Sequence, residues 1–94
     1  MNIYSVVLTK QAARDLKCIP KYVAQKLIGW VDYVAQRGLR EVRRIPGYHD
    51  EPLKAKRVGQ RSIRLTKAYR AIYVLGLDGS LEVVKILEVN KHDY

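Results

Sequence analysis

Hydrophobic residues open the chain in a short β-branched run, residues 3–8, which predicts a strand. Thr9 then offers an N-cap, and Ala12, Leu16 and Ile19 recur at helical spacing, predicting a first helix over residues 10–18. Pro20 interrupts that helix and suits the first turn of another. Val23, Leu27, Trp30, Val31 and Val34 form one stripe, and Gly38 stands where a C-cap glycine belongs, so a second helix is predicted over residues 20–37. Gly29 inside it costs about 1 kcal/mol relative to alanine, and is expected to allow close approach of the first helix. Residues 39–56 read as irregular, with a helical turn at residues 39–44 and breaks at Pro46-Gly47 and Pro52.

Beyond that stretch the period changes from 3.6 to 2. Ile63 and Leu65 face one way, while Ser62, Arg64 and Thr66 face the other, predicting a strand over residues 61–66. Residues 69–75 and 81–89 predict two more strands, joined by turn chemistry at Asp78-Gly79. Val83, Val84, Ile86 and Leu87 make both faces of the last strand apolar, which places it centrally. The expected class is α+β in the order β-α-α-β-β-β. A helical hairpin packs on one face of a small, mostly antiparallel sheet, in one domain over residues 1–94.

Charge narrows the function. Lys and Arg number 18 against 9 Asp and Glu, a formal net charge of +9, which implies a polyanionic partner, nucleic acid first. Seven of the basic residues (Lys54, Lys56, Arg57, Arg61, Arg64, Lys67 and Arg70) fall within 17 positions that hold no acid. Such a patch gives strongly salt-dependent phosphate binding; the plainer reading is a solvated sheet face. Arg64 alternates with core residues, so the scaffold fixes its guanidinium, whereas Lys67 is expected to be solvated. Arg40, Arg43 and Arg44 form a second cluster, read as a wet helical face or a dock for RNA or an acidic partner. One cysteine, Cys18, excludes an internal disulfide and fits a reducing cytoplasm. No zinc site is expected from two histidines and one cysteine, and no cofactor is implied. Apolar runs such as residues 73–77 are too short for a membrane span, and residues 1–4 carry no signal-peptide pattern.

The second half of the chain resembles the RelE/ParE superfamily of toxins from type II toxin–antitoxin systems. The resemblance rests on Glu51-Pro52-Leu53-Lys54 with Lys56, then Ser62-Ile63-Arg64-Leu65, then Tyr69-Arg70-Ala71-Ile72-Tyr73, and the terminal Val89-Asn90-Lys91-His92-Asp93-Tyr94. It is nearest to the HigB-like and YoeB-like branches, and the expected element order matches that fold. The resemblance implies a bacterial, cytoplasmic, metal-independent endoribonuclease that cuts mRNA in the ribosomal A site of the 70S ribosome and is neutralised by a cognate antitoxin.

Cleavage by the 2′-OH needs a base, cations on the phosphorus centre and an acid for the 5′-oxygen. By the same resemblance Glu51 is the general base, and Arg64 with Arg70 form a phosphate clamp. His92 supplies proton transfer near neutral pH, and Tyr94 stacks on a base or assists the leaving group. Lys54, Lys56, Arg57, Arg61 and Lys91 are the expected RNA-binding residues. YoeB-like chains end in adjacent His-Tyr, whereas Asp93 intervenes here, so Asp93 is a further candidate for the acid–base role. His49 falls roughly where HigB-like toxins carry a functional histidine. Two other readings stand beside the nuclease: a gyrase poison of the ParE type, and a non-catalytic nucleic-acid-binding module on the same scaffold.

Overall fold

Thr9 starts the first helix as its side chain suggests, its Oγ1 accepting from the Ala12 amide at 3.1 Å. The computed structural model describes residues 2–91. In chain order it holds β1 (Val6–Leu8), α1 (Lys10–Cys18), α2 (Lys21–Arg37), α3 (Leu39–Val42), β2 (Glu51–Pro52), β3 (Arg61–Arg64), β4 (Tyr69–Asp78) and β5 (Leu81–Lys91). Single 3₁₀ turns lie at Pro46–Tyr48 and Ala55–Arg57. Pro20 sits just ahead of α2, not within it, and its carbonyl accepts from the Val23 and Ala24 amides. Gly38 closes α2 at φ +84°, and a Cβ there would lie 2.2 Å from Asn2 Nδ2. Asn2 needs that space because its Oδ1 caps α3, accepting from the Arg40 amide at 2.9 Å.

The strands form one sheet in the order β1-β5-β4-β3-β2, parallel between β1 and β5 and antiparallel elsewhere. β5 is therefore an interior strand, flanked by β1 and β4, in keeping with its two apolar faces. One face carries Ile63, Ala71, Tyr73, Val84, Ile86 and Val89, which pack with Ala12 of α1 and with Val23, Leu27, Trp30 and Val34 of α2 into the core. Gly29 does not serve helix approach as expected. A Cβ there would meet nothing within 4 Å, because the buried stripe at Val23, Leu27, Trp30 and Val34 runs along another face of α2.

The register slips between Ile72 and Tyr73, leaving Leu87 as an extra residue on β5. α1 supplies the partners that this bulge takes from the ladder. Thr9 Oγ1 donates to the Leu87 carbonyl at 2.8 Å, and Asp15 Oδ2 accepts from the Val89 amide at 2.9 Å.

On the sheet's second face Ser62, Ile72 and Glu88 stand in one cross-strand row, and Arg64, Arg70 and Asn90 in the next. The loop between β2 and β3 folds over this face, since Arg57 reaches Glu88 on β5 as an ion pair. That cover accounts for Ile72 being 1% exposed on a face without helices. Among the described residues no helix is long and apolar enough to cross a membrane.

Candidate functional site

Alternation along β3 puts Ser62 and Arg64 on the face away from the helices, and β2 and β4 bring partners to them. Glu51 stands opposite Ser62, and Arg70 stands directly opposite Arg64. Together with His49, Thr66, Lys67 and Tyr69 these residues line one cleft of about 100 Å³. Drug-sized ligand pockets run to roughly 300–1,000 Å³, so this cleft has room for a group of phosphate size and not for a whole buried nucleotide. Like charges directly opposite on neighbouring strands destabilise a sheet. Neither Arg64 nor Arg70 makes a side-chain hydrogen bond or ion pair among the described residues, and the buried Arg70 Nε finds no hydrogen-bond partner there. An unsatisfied buried donor is rare in folded proteins and calls for an explanation. An oxyanion placed between the two guanidiniums would satisfy Nε and neutralise the opposed pair together.

His49 enters the cleft from the end of the turn at Pro46–Tyr48, in the left-handed region at φ +46°. Strained backbone of this kind gathers at functional sites. Asp50 turns away from the cleft. Its side chain is fully buried, accepting from Arg61 Nε at 2.6 Å and from Tyr73 Oη at 2.5 Å. Burial acts first on the Tyr73 phenol and, with the Asp50 hydrogen bond, pushes its pKa up to about 12. Burial alone would lower the Arg61 pKa, but the hydrogen bond and charge of Asp50 outweigh it and raise the value.

The expected site residues therefore divide. Glu51, Arg64 and Arg70 meet in the cleft, and His49 joins them. Lys54 and Lys56 are exposed on the loop that folds over this face, and Lys91 stands opposite Tyr69 at the cleft rim. Arg57 is engaged by Glu88 and Gln60, and Arg61 by Asp50, so both guanidiniums serve the fold. Lys67, expected to be solvated, is exposed but lines the cleft. His92, Asp93 and Tyr94 lie outside the described residues. Alternation on β3 could have found Ser62, which shares a face with Arg64. Thr66 carries no sequence signal beyond flanking a basic strand, and Tyr69 carries only its place in the Tyr69–Tyr73 run of the family resemblance. Among the described residues no group of three His, Cys, Asp or Glu side chains is placed to hold a metal ion.

A family model described as the ParE toxin of the type II toxin–antitoxin system parDE matches residues 6–93. The chain belongs to the ParE toxin family. That match bears out the expected RelE/ParE superfamily. The RelBE2 toxin–antitoxin complex of Mycobacterium tuberculosis has a chain 28% identical, with a TM-score of 0.58, covering 96% of this toxin and 99% of that chain. A YoeB/ParE toxin from Agrobacterium tumefaciens aligns with a TM-score of 0.66 at 20% identity, over 95% of this toxin and 99% of that chain. YafQ in the E. coli DinJ–YafQ complex aligns with a TM-score of 0.69 at 19% identity, over 96% of this toxin and 94% of its own chain. At such identities these last two show likeness of fold. No curated protein matches the toxin in sequence.

Proposed function

We propose that this toxin is a ribosome-dependent mRNA endoribonuclease that needs no metal. The observation that carries this reading is the opposed Arg64–Arg70 pair, whose buried Nε lacks a partner among the described residues, in one cleft with the Glu51 carboxylate. Glu51 takes the proton from the 2′-OH, which attacks phosphorus in line. Arg64 and Arg70 hold the nonbridging oxygens as charge accumulates in the transition state. The P–O5′ bond breaks, and the departing oxygen takes a proton from His92, with Tyr94 stacking on a base or assisting the leaving group, as the family resemblance implies. A 2′,3′-cyclic phosphate and a 5′-hydroxyl result, so the proton count closes without an external reactant.

Lys54, Lys56 and Lys91 track the flanking backbone. A cognate antitoxin restrains the enzyme, in keeping with the toxin–antitoxin complexes of RelBE2 and DinJ–YafQ.

The test is primer extension on a defined mRNA with purified toxin, with and without programmed 70S ribosomes, for wild type, Glu51→Gln and His92→Ala. Cuts that need ribosomes and weaken in both variants support the reading. A second reading has its own support, since the matching family model is that of ParE. It makes the toxin a gyrase poison, and inhibition of supercoiling without RNA cuts would establish it in place of the nuclease.

A further inference from the structure

β2 is too short to hold its own place. It pairs with β3 at only two positions, Glu51 and Pro52, and Pro52 has no amide hydrogen to give. Yet Glu51 and His49 must be held against Arg64 and Arg70 if the cleft is to act as a unit. Between them in sequence lies Asp50, with the only carboxylate whose side chain is fully buried among the described ion pairs.

Two donors converge on Asp50. Arg61 Nε comes from β3, the strand that carries Arg64, and Tyr73 Oη comes from β4, the strand that carries Arg70. Arg61 Nη2 also donates to the Asp50 carbonyl at 3.5 Å, so backbone and side chain are both gripped. Tyr73 is itself fixed. Its ring lies 5.4 Å from that of Trp30 in the core, and its oxygen accepts from Arg43 Nε at 3.3 Å.

We infer that Asp50 is the positioning residue of the cleft, pinning its two neighbours to the strands that carry the arginine pair. Consecutive Cα atoms lie about 3.8 Å apart, so a carboxylate locked on the core side leaves its flanking residues little freedom on the other. The inference rests on the cleavage reading for its rate effect, and it also has a consequence that does not depend on that reading. Misplacing a reacting group by about 1 Å can lower a rate by roughly a hundredfold.

The test compares wild type, Asp50→Ala, Asp50→Asn, Tyr73→Phe and the remote core variant Val23→Ala in ribosome-dependent cleavage, with thermal unfolding of each. Asp50→Ala is expected to lower kcat about 10- to 100-fold with KM within about threefold. Asp50→Asn should recover much of that loss, because its carbonyl still accepts from Arg61 and its amide can donate to the Tyr73 oxygen. Tyr73→Phe, which removes one oxygen on the core side of the sheet, should lower kcat about tenfold. Val23→Ala should lower the melting temperature while leaving kcat within about twofold. A kcat for Asp50→Ala within about twofold of wild type, or no lower than that of Val23→Ala, overturns the inference.

If wild type does not cleave RNA, the cleavage reading fails and hydrogen exchange decides the anchoring. The His49 and Leu53 amides, bonded to the Pro46 and Gln60 carbonyls, should exchange at least about tenfold faster in Asp50→Ala and not in Val23→Ala. Unchanged exchange at both amides would equally overturn it.

Discussion

Replacing Arg70 by methionine should make the toxin inactive and more stable at once. Arg70 is half-buried, its Nε has no partner among the described residues, and its Cα partner on β3 is another arginine. A buried unsatisfied donor costs about 1–3 kcal/mol, and like charges directly opposite across a strand pair cost a further ~0.2–1 kcal/mol. Methionine removes both terms and keeps an apolar stem of similar reach. Allowing for imperfect repacking, a gain of about 1–2 kcal/mol is expected. In a domain of this size each kcal/mol moves Tm by about 4–8 °C, so Tm should rise by roughly 5–15 °C in low salt.

The assay is thermal unfolding of both proteins across a sulfate titration, followed by cleavage on programmed ribosomes. Sulfate should stabilise wild type more than Arg70→Met, because an anion that binds only the folded cleft adds RT ln(1 + [L]/Kd). General salting-out acts on both proteins and cancels in the difference. A fall in Tm on substitution would show that Arg70 is a structural residue with a native partner. Equal sulfate responses would show that the cleft is not an anion site. Either result refutes the reasoning.

Arg64→Lys should lower cleavage at least about tenfold in single-turnover kinetics, because an ammonium cannot reproduce a planar bidentate donor; wild-type rates would contradict this. In filter binding to single-stranded RNA, Lys54→Ala should reduce the slope of log K against log[salt] by about 0.7. Arg57→Ala, whose charge is already engaged by Glu88, should leave that slope nearly unchanged. Gly38→Ala should lower stability by about 2–4 kcal/mol, combining glycine-only backbone with displacement of the Asn2 cap; chemical denaturation measures it. The Tyr73 pKa is raised, so the folded state keeps its proton longer than the unfolded chain does. Stability should therefore be fully present below about pH 10 and fall between about pH 10 and 12, by up to about 2 kcal/mol, with Tyr73→Phe lacking this component in denaturant titrations at each pH.

Much of the scaffold can be read residue by residue because its signals are local. Thr9 caps within its own turn, and the α2 stripe repeats within four residues. The two-residue period of β3 separates Ile63 from Ser62 and Arg64 with no knowledge of their partners. The illegible features depend on distant pairing. β2 has two residues, too few to display any period, and one of them is a proline that reads as a breaker. The bulge at Leu87 looks like an ordinary apolar strand position until β4 sets the register. Arg57 and Arg61 look like any other members of a basic run. Only the fold brings Glu88 and Asp50 to them across separations of 31 and 11 residues.

The adjacent carboxylates Asp50 and Glu51 show how one short segment divides two kinds of work. An extended chain points consecutive side chains to opposite sides. Asp50 therefore goes inward to Arg61 and Tyr73, while Glu51 faces the arginine pair across the cleft. The inward acid is satisfied by two donors, and its charge holds a guanidinium that would otherwise be half-buried and unpaired. The outward acid makes no side-chain hydrogen bond or ion pair among the described residues, in keeping with the base role proposed for it. The arginines divide in the same way. Arg61 is closed by Asp50, whereas Arg64 and Arg70 oppose each other with no carboxylate bound to either among the described residues. A fold selected for stability alone would pair them or replace them. Two guanidiniums and one carboxylate with no side-chain partner among the described residues stand beside a fully paired set of the same residue types, which is the arrangement that the proposed oxyanion substrate would complete.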